Sequence, residues 1–236
     1  MVDIKNKWAL VTGASRGVGQ QIAIGLAQKG VNLVLHSSAV SNQDKTLALL
    51  KKHDVKIEQV ACDLNDSQSI AQCILKADEI SGGIDIVYNN AAIMTQFIDL
   101  FEAPAEDYRN SFQVNVLAVI QICNFFAQRM KERGYGRIIN VTSGIKDTPH
   151  LDAYSITKAA LDKYTRDLAI QLANTGVLAN LLDPGWCRTD LGGPEAWNDV
   201  SSVLPGALLP AMLGKEGDEE PRAMLFAAQD FSGIQW

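Results

Sequence analysis

Glycines placed between an apolar run and an amphipathic segment narrow the choice of fold more than any other feature of this chain. Trp8-Ala9-Leu10-Val11-Thr12 is a short apolar stretch that ends in Gly13-Ala14-Ser15-Arg16-Gly17-Val18-Gly19. Ile22, Ala23, Leu26 and Ala27 then recur at helical spacing, so the order is strand, tight turn, helix. Gly13, Gly17 and Gly19 allow the backbone to turn sharply and to approach a pyrophosphate, while the helix start offers unpaired N–H groups and a partial positive charge. A glycine-rich turn alone is weak evidence, since many tight βα turns need glycine. With a strand before it and a helix after it, nucleotide binding becomes the better reading.

The alternation continues. Val31 to Leu35 and Ile57 to Cys62 read as strands around a polar helical stretch from about Asn42 to His53. Asp66 to Ile80 is helical, Gly82-Gly83 breaks it, and Ile84 to Tyr88 is a fourth strand. A helix from Ala105 to about Arg133, a strand Arg137 to Val141, a helix Asp152 to Asn174 and a strand Val177 to Leu182 follow. Strands that are continuous apolar runs are buried on both faces, which predicts an α/β chain with a doubly wound parallel sheet, helices on both sides and right-handed crossovers. No linker divides residues 1–236, so a single domain is expected. From about Leu191 to Lys215 the chain is rich in Gly, Pro, Leu and Trp without sustained periodicity, and is predicted to be a loop-and-short-helix lid at about 190–215. Pro221 to Gln229 is expected to be a last helix, with little room after it for another strand.

Composition limits the partners. Among 236 residues, 47% are apolar, and the net charge of -6 with scattered lysines and arginines argues against nucleic acid. Cys62, Cys73, Cys123 and Cys187 have no C-x-x-C spacing, and His36, His53 and His150 are far apart. No metal site or disulfide framework is therefore expected, and free thiols suit a reducing, cytoplasmic setting. The first residues lack an apolar signal core, and the apolar runs fall short of a membrane span, so no membrane association is predicted.

Of the tyrosines, only Tyr154 is followed four residues later by a lysine, Lys158. On a helix the two side chains share a face. An ammonium beside a phenol favours its ionised form and brings it toward the range useful for acid–base work. Such a pair is more often a packed ring and a solvated amine, so its meaning depends on its company.

That company is extensive. Thr12 to Gly19, Asn89-Asn90-Ala91-Ala92, Ser143, Tyr154-Ser155-Ile156-Thr157-Lys158 and Pro184-Gly185 together resemble the ordered motif set of the short-chain dehydrogenase/reductase family, over nearly the whole chain from Lys7 to about Gly233. The resemblance implies a Rossmann fold and reversible hydride transfer between a nicotinamide and a carbonyl or alcohol, with Tyr154 as proton donor, Lys158 on the nicotinamide ribose and lowering the phenol's pKa, Ser143 on the substrate oxygen, and Asn115, in a locally irregular helix, holding a water. It further implies that Gly13, Ser15, Arg16, Gly17, Val18 and Gly19 hold the pyrophosphate. Asp63 and Leu64 would meet the adenine, Asn90 and Ala91 the adenosine side, and Pro184, Gly185 and Thr189 the nicotinamide. Two departures stand out. Ala92 replaces the family's glycine, and the usual seventh strand has only Ile234-Gln235-Trp236 left to form it.

Where NAD-specific members carry an acidic residue, this chain reads His36-Ser37-Ser38. Nothing there repels a 2′-phosphate, and Arg16 and the serines are suited to bind one, so NADP(H) is expected over NAD(H). Pro184 to Leu191 looks most like the family's carbonyl reductases. With Trp186 and Trp197 as flat walls and Lys146 to Asp152 as the opposite rim, an apolar or aromatic ketone, aldehyde or quinone is the expected substrate. A homodimer through the long helices is expected. Two other classes compete: a redox-sensing nucleotide-binding regulator without turnover, disfavoured by the full catalytic set, and a nucleoside-donor methyltransferase, which has no use for a Tyr-Lys pair.

Overall fold

The computed structural model describes residues 1–95, 97–145, 151–214 and 222–232. Seven parallel strands run β1 (Trp8–Val11), β2 (Asn32–Ser37), β3 (Ile57–Ala61), β4 (Ile86–Asn89), β5 (Gly136–Val141), β6 (Val177–Asp183) and β7 (Leu225–Ala227), in spatial order 3-2-1-4-5-6-7. The chain winds outward from β1 to β3, returns to β4 beside β1, and winds outward again. The reversal leaves a crevice at the carboxyl ends of β1 and β4, where open α/β sheets take ligands.

The helices cover both faces. On one side α1 (Gly17–Gln28) and α2 (Asp44–Leu50) pack with Ile22, Leu26 and Leu50 wholly buried. On the other lie α3 (Ser67–Ser81), α4 (Ala105–Phe112), α5 (Ala118–Arg133) and α6 (Asp152–Gln171), which bury Ile70, Phe126, Met130 and Leu161. Asp66 caps α3, its carboxylate accepting from the Gln68 N–H at 2.8 Å, and Gly82 ends the helix in the left-handed region at φ 70°. Each sequence signal used to place that helix has its physical counterpart.

Several expectations need correction. The stretch expected as a last helix contains β7, whose Leu225, Phe226 and Ala227 pair with Leu181, Leu182 and Asp183 of β6; a three-residue strand is too short to show periodicity. The seventh strand is thus present, earlier than the chain's last residues. The polar helical stretch from Asn42 is a 3-10 turn, Val40–Gln43, leading into the short α2. The helix from Ala105 to Arg133 carries a π-helical turn at Gln113–Leu117, which is the local irregularity expected at Asn115. Its 29 residues satisfy the length and hydropathy of a membrane span, contrary to the reading of its apolar runs. Its apolar side nevertheless lies against the sheet, with Val114, Val119, Ile122 and Phe126 buried.

The segment expected to be a lid divides in two. Val203, Ala207, Leu208 and Ala211 are buried in the core beside α1. A Cβ on Gly25 of α1 would come within 2.7 Å of the Leu204 Cδ2, so the helix is bare where this segment seats. Lifting it would expose a Val and a Leu at about 1.5–3 kcal/mol each, which fits a core cap better than a moving cover. Thr189, Asp190 and Leu191 line the cleft instead.

Candidate active site

A cleft of about 440 Å³ opens at the carboxyl ends of the strands. Its floor is the turn between β1 and α1. Gly13 and Gly17 take φ of 66° and 58°, which only glycine adopts at no cost. A Cβ on Gly19 would meet the Gly13 carbonyl oxygen at 2.4 Å, so the third glycine permits the turn to lie on its own helix. Arg16 occupies the N-cap of α1 without a side-chain cap bond, and the first turn carries no acid. The start of the helix thus faces the cleft with its N–H groups and positive end, a fit for a pyrophosphate.

The Asn90 amide donates to the Thr12 and Gly13 carbonyls at 2.9 and 3.3 Å, and Thr12 Oγ1 accepts from the Asn90 and Ala91 N–H groups at 2.9 and 3.1 Å. Asn90 lines the cleft, but its amide works by locking the glycine turn to the end of β4. Ala92 avoids positive φ, so its methyl group is accommodated. Ser15, Val18, His36, Ser37, Ser38, Asp63, Leu64, Ala91, Pro184 and Thr189 also lie on the wall. Gly185 stands behind it, at φ 74°, with Gln229 where a Cβ would go.

Tyr154 and Lys158 project from the first turns of α6 and are 6% and 5% exposed. The Lys158 ammonium donates to the Val141 carbonyl at 2.7 Å and lies 5.5 Å from the Tyr154 ring centre. Burial pushes the phenol up to about 12; a hydrogen bond from Ser143 favours the ionised form, and Asp183 opposes it. Burial also lowers Lys158 to about 8, against the raising influence of Asp162 and Asp183. The expectation that Lys158 lowers the phenol is therefore not met in this geometry. The ammonium is engaged by a carbonyl, and desolvation outweighs what remains. Near neutral pH Tyr154 is a protonated phenol joined to Ser143, the state a proton donor requires.

Asn115 lies in the π turn, where helical register shifts and its side chain points inward. Its amide donates to the Ile93 carbonyl at 2.8 Å and to Thr157 Oγ1 at 3.1 Å, and its oxygen accepts from the Ile93 N–H at 2.9 Å. Asn115 thereby ties the loop after β4 to α6. Asp183, Asp162 and Asp190 escaped the sequence reading. Asp162 stands four residues after Lys158, at helical spacing, and Asp183 directly precedes Pro184-Gly185, so both had local signals. Asp190 pairs with Arg16 at 3.0 Å across the cleft mouth, a contact no spacing announces. Part of the expected opposite rim, residues 146–150, lies outside the described residues.

A parallel sheet with a glycine turn at its switch point and a Ser-Tyr-Lys group beside it defines a nucleotide-dependent oxidoreductase. The chain belongs to the short-chain dehydrogenase family, whose sequence profile matches residues 7–198. It is 34% identical over 198 residues to the dehydrogenase/reductase SDR family member 4 of Bos taurus, covering 83% of this chain and 71% of that protein. It is also 34% identical over 238 residues to the L-rhamnose 1-dehydrogenase (NADP(+)) of Thermoplasma acidophilum, covering 98% and 92%. Among solved structures, the promiscuous reductase LugOII, which catalyses a keto-reduction in lugdunomycin biosynthesis, superposes with a TM-score of 0.81 at 26% identity, covering 98% and 99%.

Proposed function

We propose that this chain is an NADPH-preferring reductase of apolar or aromatic ketones, aldehydes or quinones. The observation that carries the reading is the Tyr154 phenol, protonated and bonded to Ser143, in the same cleft as the glycine cradle. When bound, a nicotinamide supplies the hydride. Ser143 holds the substrate carbonyl oxygen, Tyr154 gives it a proton, and the developing oxyanion is stabilised by both. Lys158 would hold the ribose hydroxyls of the bound nucleotide and supply positive charge beside the phenol. Asn115 keeps α6 and the loop after β4 in register.

Cofactor preference rests on the end of β2. No carboxylate stands at His36, Ser37 or Ser38, and the Ser38 hydroxyl accepts from Asn42 at 3.1 Å. Arg16 is paired with Asp190, but both side chains are about three-quarters exposed (75% and 73%). Such a pair is worth about 0–1 kcal/mol, less than the ~1.5–3 kcal/mol of a hydrogen bond to a charged group, so a 2′-phosphate draws the guanidinium away. The cofactor named for the archaeal relative is NADP(+), which supports the same choice.

Exposed aromatic side chains support the substrate class. Phe97 and Phe101, in the segment after β4, are 67% and 94% exposed. Trp186, within the stretch from Pro184 to Leu191, meets Trp197 edge to face at 5.2 Å. A sugar such as that of the archaeal relative asks for hydroxyl partners, and these surfaces offer flat apolar ones. In this reading residues 189–199 are the cover over the reacting centre. The protein is cytoplasmic and a homodimer through the long helices of residues 105–133 and 152–174, where Leu117, Ile156 and Ile170 are exposed. A panel of carbonyls assayed with NADPH and NADH tests the assignment. Aromatic and medium-length apolar carbonyls with NADPH should give the highest kcat/KM. A panel won by sugars or charged keto acids, or by NADH, contradicts it, and binding without any turnover leaves a redox-sensing regulator.

A further inference from the structure

Behind the adenosine end of the cleft, the ends of β2 and β3 and the middle of α3 bring together His36, Cys62 and Cys73. The sequence separates them widely, and no metal spacing connects them. In the fold an imidazole nitrogen and the two sulfurs all lie within 4.8 Å of one another, and all three residues are buried. The His36 Nε2 is 3.2 Å from the Cys62 sulfur. A tetrahedral zinc with Zn–N of about 2.0 Å and Zn–S of about 2.3 Å would set that distance near ~3.5 Å, a shift of a few tenths of an ångström. The three side chains also line a small cavity of about 10 Å³, closed by Leu10, Ile70 and Ile122.

One feature of the group remains unexplained by packing. The His36 Nδ1 is buried without a partner among the described residues, although buried polar atoms are nearly always satisfied.

We propose that His36, Cys62 and Cys73 form a binding site for a zinc-class divalent cation, with the small cavity taking the ion. Two thiolates and a neutral imidazole balance a dication, so the completed site carries no net charge, as its apolar surround requires. The protons released on binding go to solvent. His36 and Cys62 also wall the main cleft, which gives the ion its way in and leaves a fourth coordination position on that side. The ion would thus fix the wall next to Asp63 and Leu64, where the adenosine end of a nucleotide lies in the proposed reading, although binding itself does not depend on that reading.

The test uses the whole protein, reduced and stripped with a chelator, then titrated with Cd2+ and Zn2+. One equivalent of cadmium should produce thiolate-to-metal charge-transfer absorption, zinc should abolish it by competition, and both should raise Tm. Cys73→Ser lies outside the cleft and should keep its circular dichroism and NADPH binding, yet lose the absorption and at least the ~10–100-fold in affinity that even an outer partner of a metal site is worth. Cys123→Ser, which leaves all three ligands in place, should retain both. If Cys73→Ser does not fold, His36→Asn serves as the second variant, with weakened cadmium affinity expected. Absence of the absorption in the reduced wild type, or its persistence in Cys73→Ser or undiminished cadmium affinity in His36→Asn, overturns the proposal.

Discussion

Lys158 is where stability and chemistry conflict. Its ordinary value of 10.5 falls to about 8 because the ammonium is buried. Below about pH 8 both folded and unfolded chains hold the proton, and the fold bears the full cost of a buried cation. Between about 8 and 10.5 the unfolded chain binds more protons, so stability rises with pH over that window. The lowering corresponds to about 3 kcal/mol, of which the hydrogen bond to Val141 returns about 1 kcal/mol. Lys158→Met should therefore be more stable than the wild type by about 2 kcal/mol at pH 7 in urea unfolding, with the gain shrinking as pH rises toward 9.5, while turnover disappears. A variant less stable than the wild type at pH 7 would mean that the ammonium contributes more to the fold than its burial costs. Above pH 10 Tyr154 acts in the opposite sense, because its folded value is raised to about 12, so the measurement belongs below that range.

At the scale of elements, the π turn at Gln113–Leu117 and the glycine turn do the positioning. Asn115 is easily found in sequence as a polar residue between Val114 and Val116, but its hydrogen bonds depend on a register shift that periodicity does not reveal. Asn115→Ala leaves the Ile93 N–H and C=O and Thr157 short of partners, at about 1–3 kcal/mol for each one left buried and unpaired. A loss of about 3 kcal/mol in stability and a fall in kcat larger than any change in cofactor Kd are expected from denaturation and steady-state kinetics. A change in Kd alone would place Asn115 in cofactor binding instead. In the glycine turn, Arg16→Ala should reduce the kcat/KM preference for NADPH at least tenfold, in keeping with the loss of a charge-assisted hydrogen bond. Asp190→Asn should lower KM for NADPH severalfold and leave NADH unchanged; an equal effect on both cofactors would remove Arg16 from the 2′-phosphate. Short elements were the least legible. Leu225–Ala227 is too brief to carry a period, and the core role of Val203 and Leu208 follows from Gly25 and α1, which lie nearly 180 residues away in the chain.

For the molecule as a whole, the alternation of apolar runs and helical segments determined the doubly wound sheet, because strands buried on both faces leave few other arrangements. Five of the expected strands occur in order with ends shifted by a residue or two, and the sixth likewise. The Tyr154-Lys158 pair was equally visible, since a helical i, i+4 pair carries its geometry in its spacing. What the sequence concealed was long-range juxtaposition: Asp190 against Arg16, Asp183 beside the Tyr-Lys pair, and His36 with Cys62 and Cys73. Those contacts are made by strand order rather than by local pattern. The central claim is that a protonated Tyr154, held by Ser143, completes hydride transfer in this cleft. It is tested most directly by a single turnover with NADPH deuterated on the transferred face, in wild type and in Tyr154→Phe, with the alcohol product of an aromatic ketone read by mass spectrometry. The wild type should place deuterium on the carbinol carbon. Tyr154→Phe, which removes one hydroxyl and no packing, should bind NADPH with unchanged affinity and transfer the label at least ~100-fold more slowly; label arriving at the wild-type rate in that variant would contradict the account.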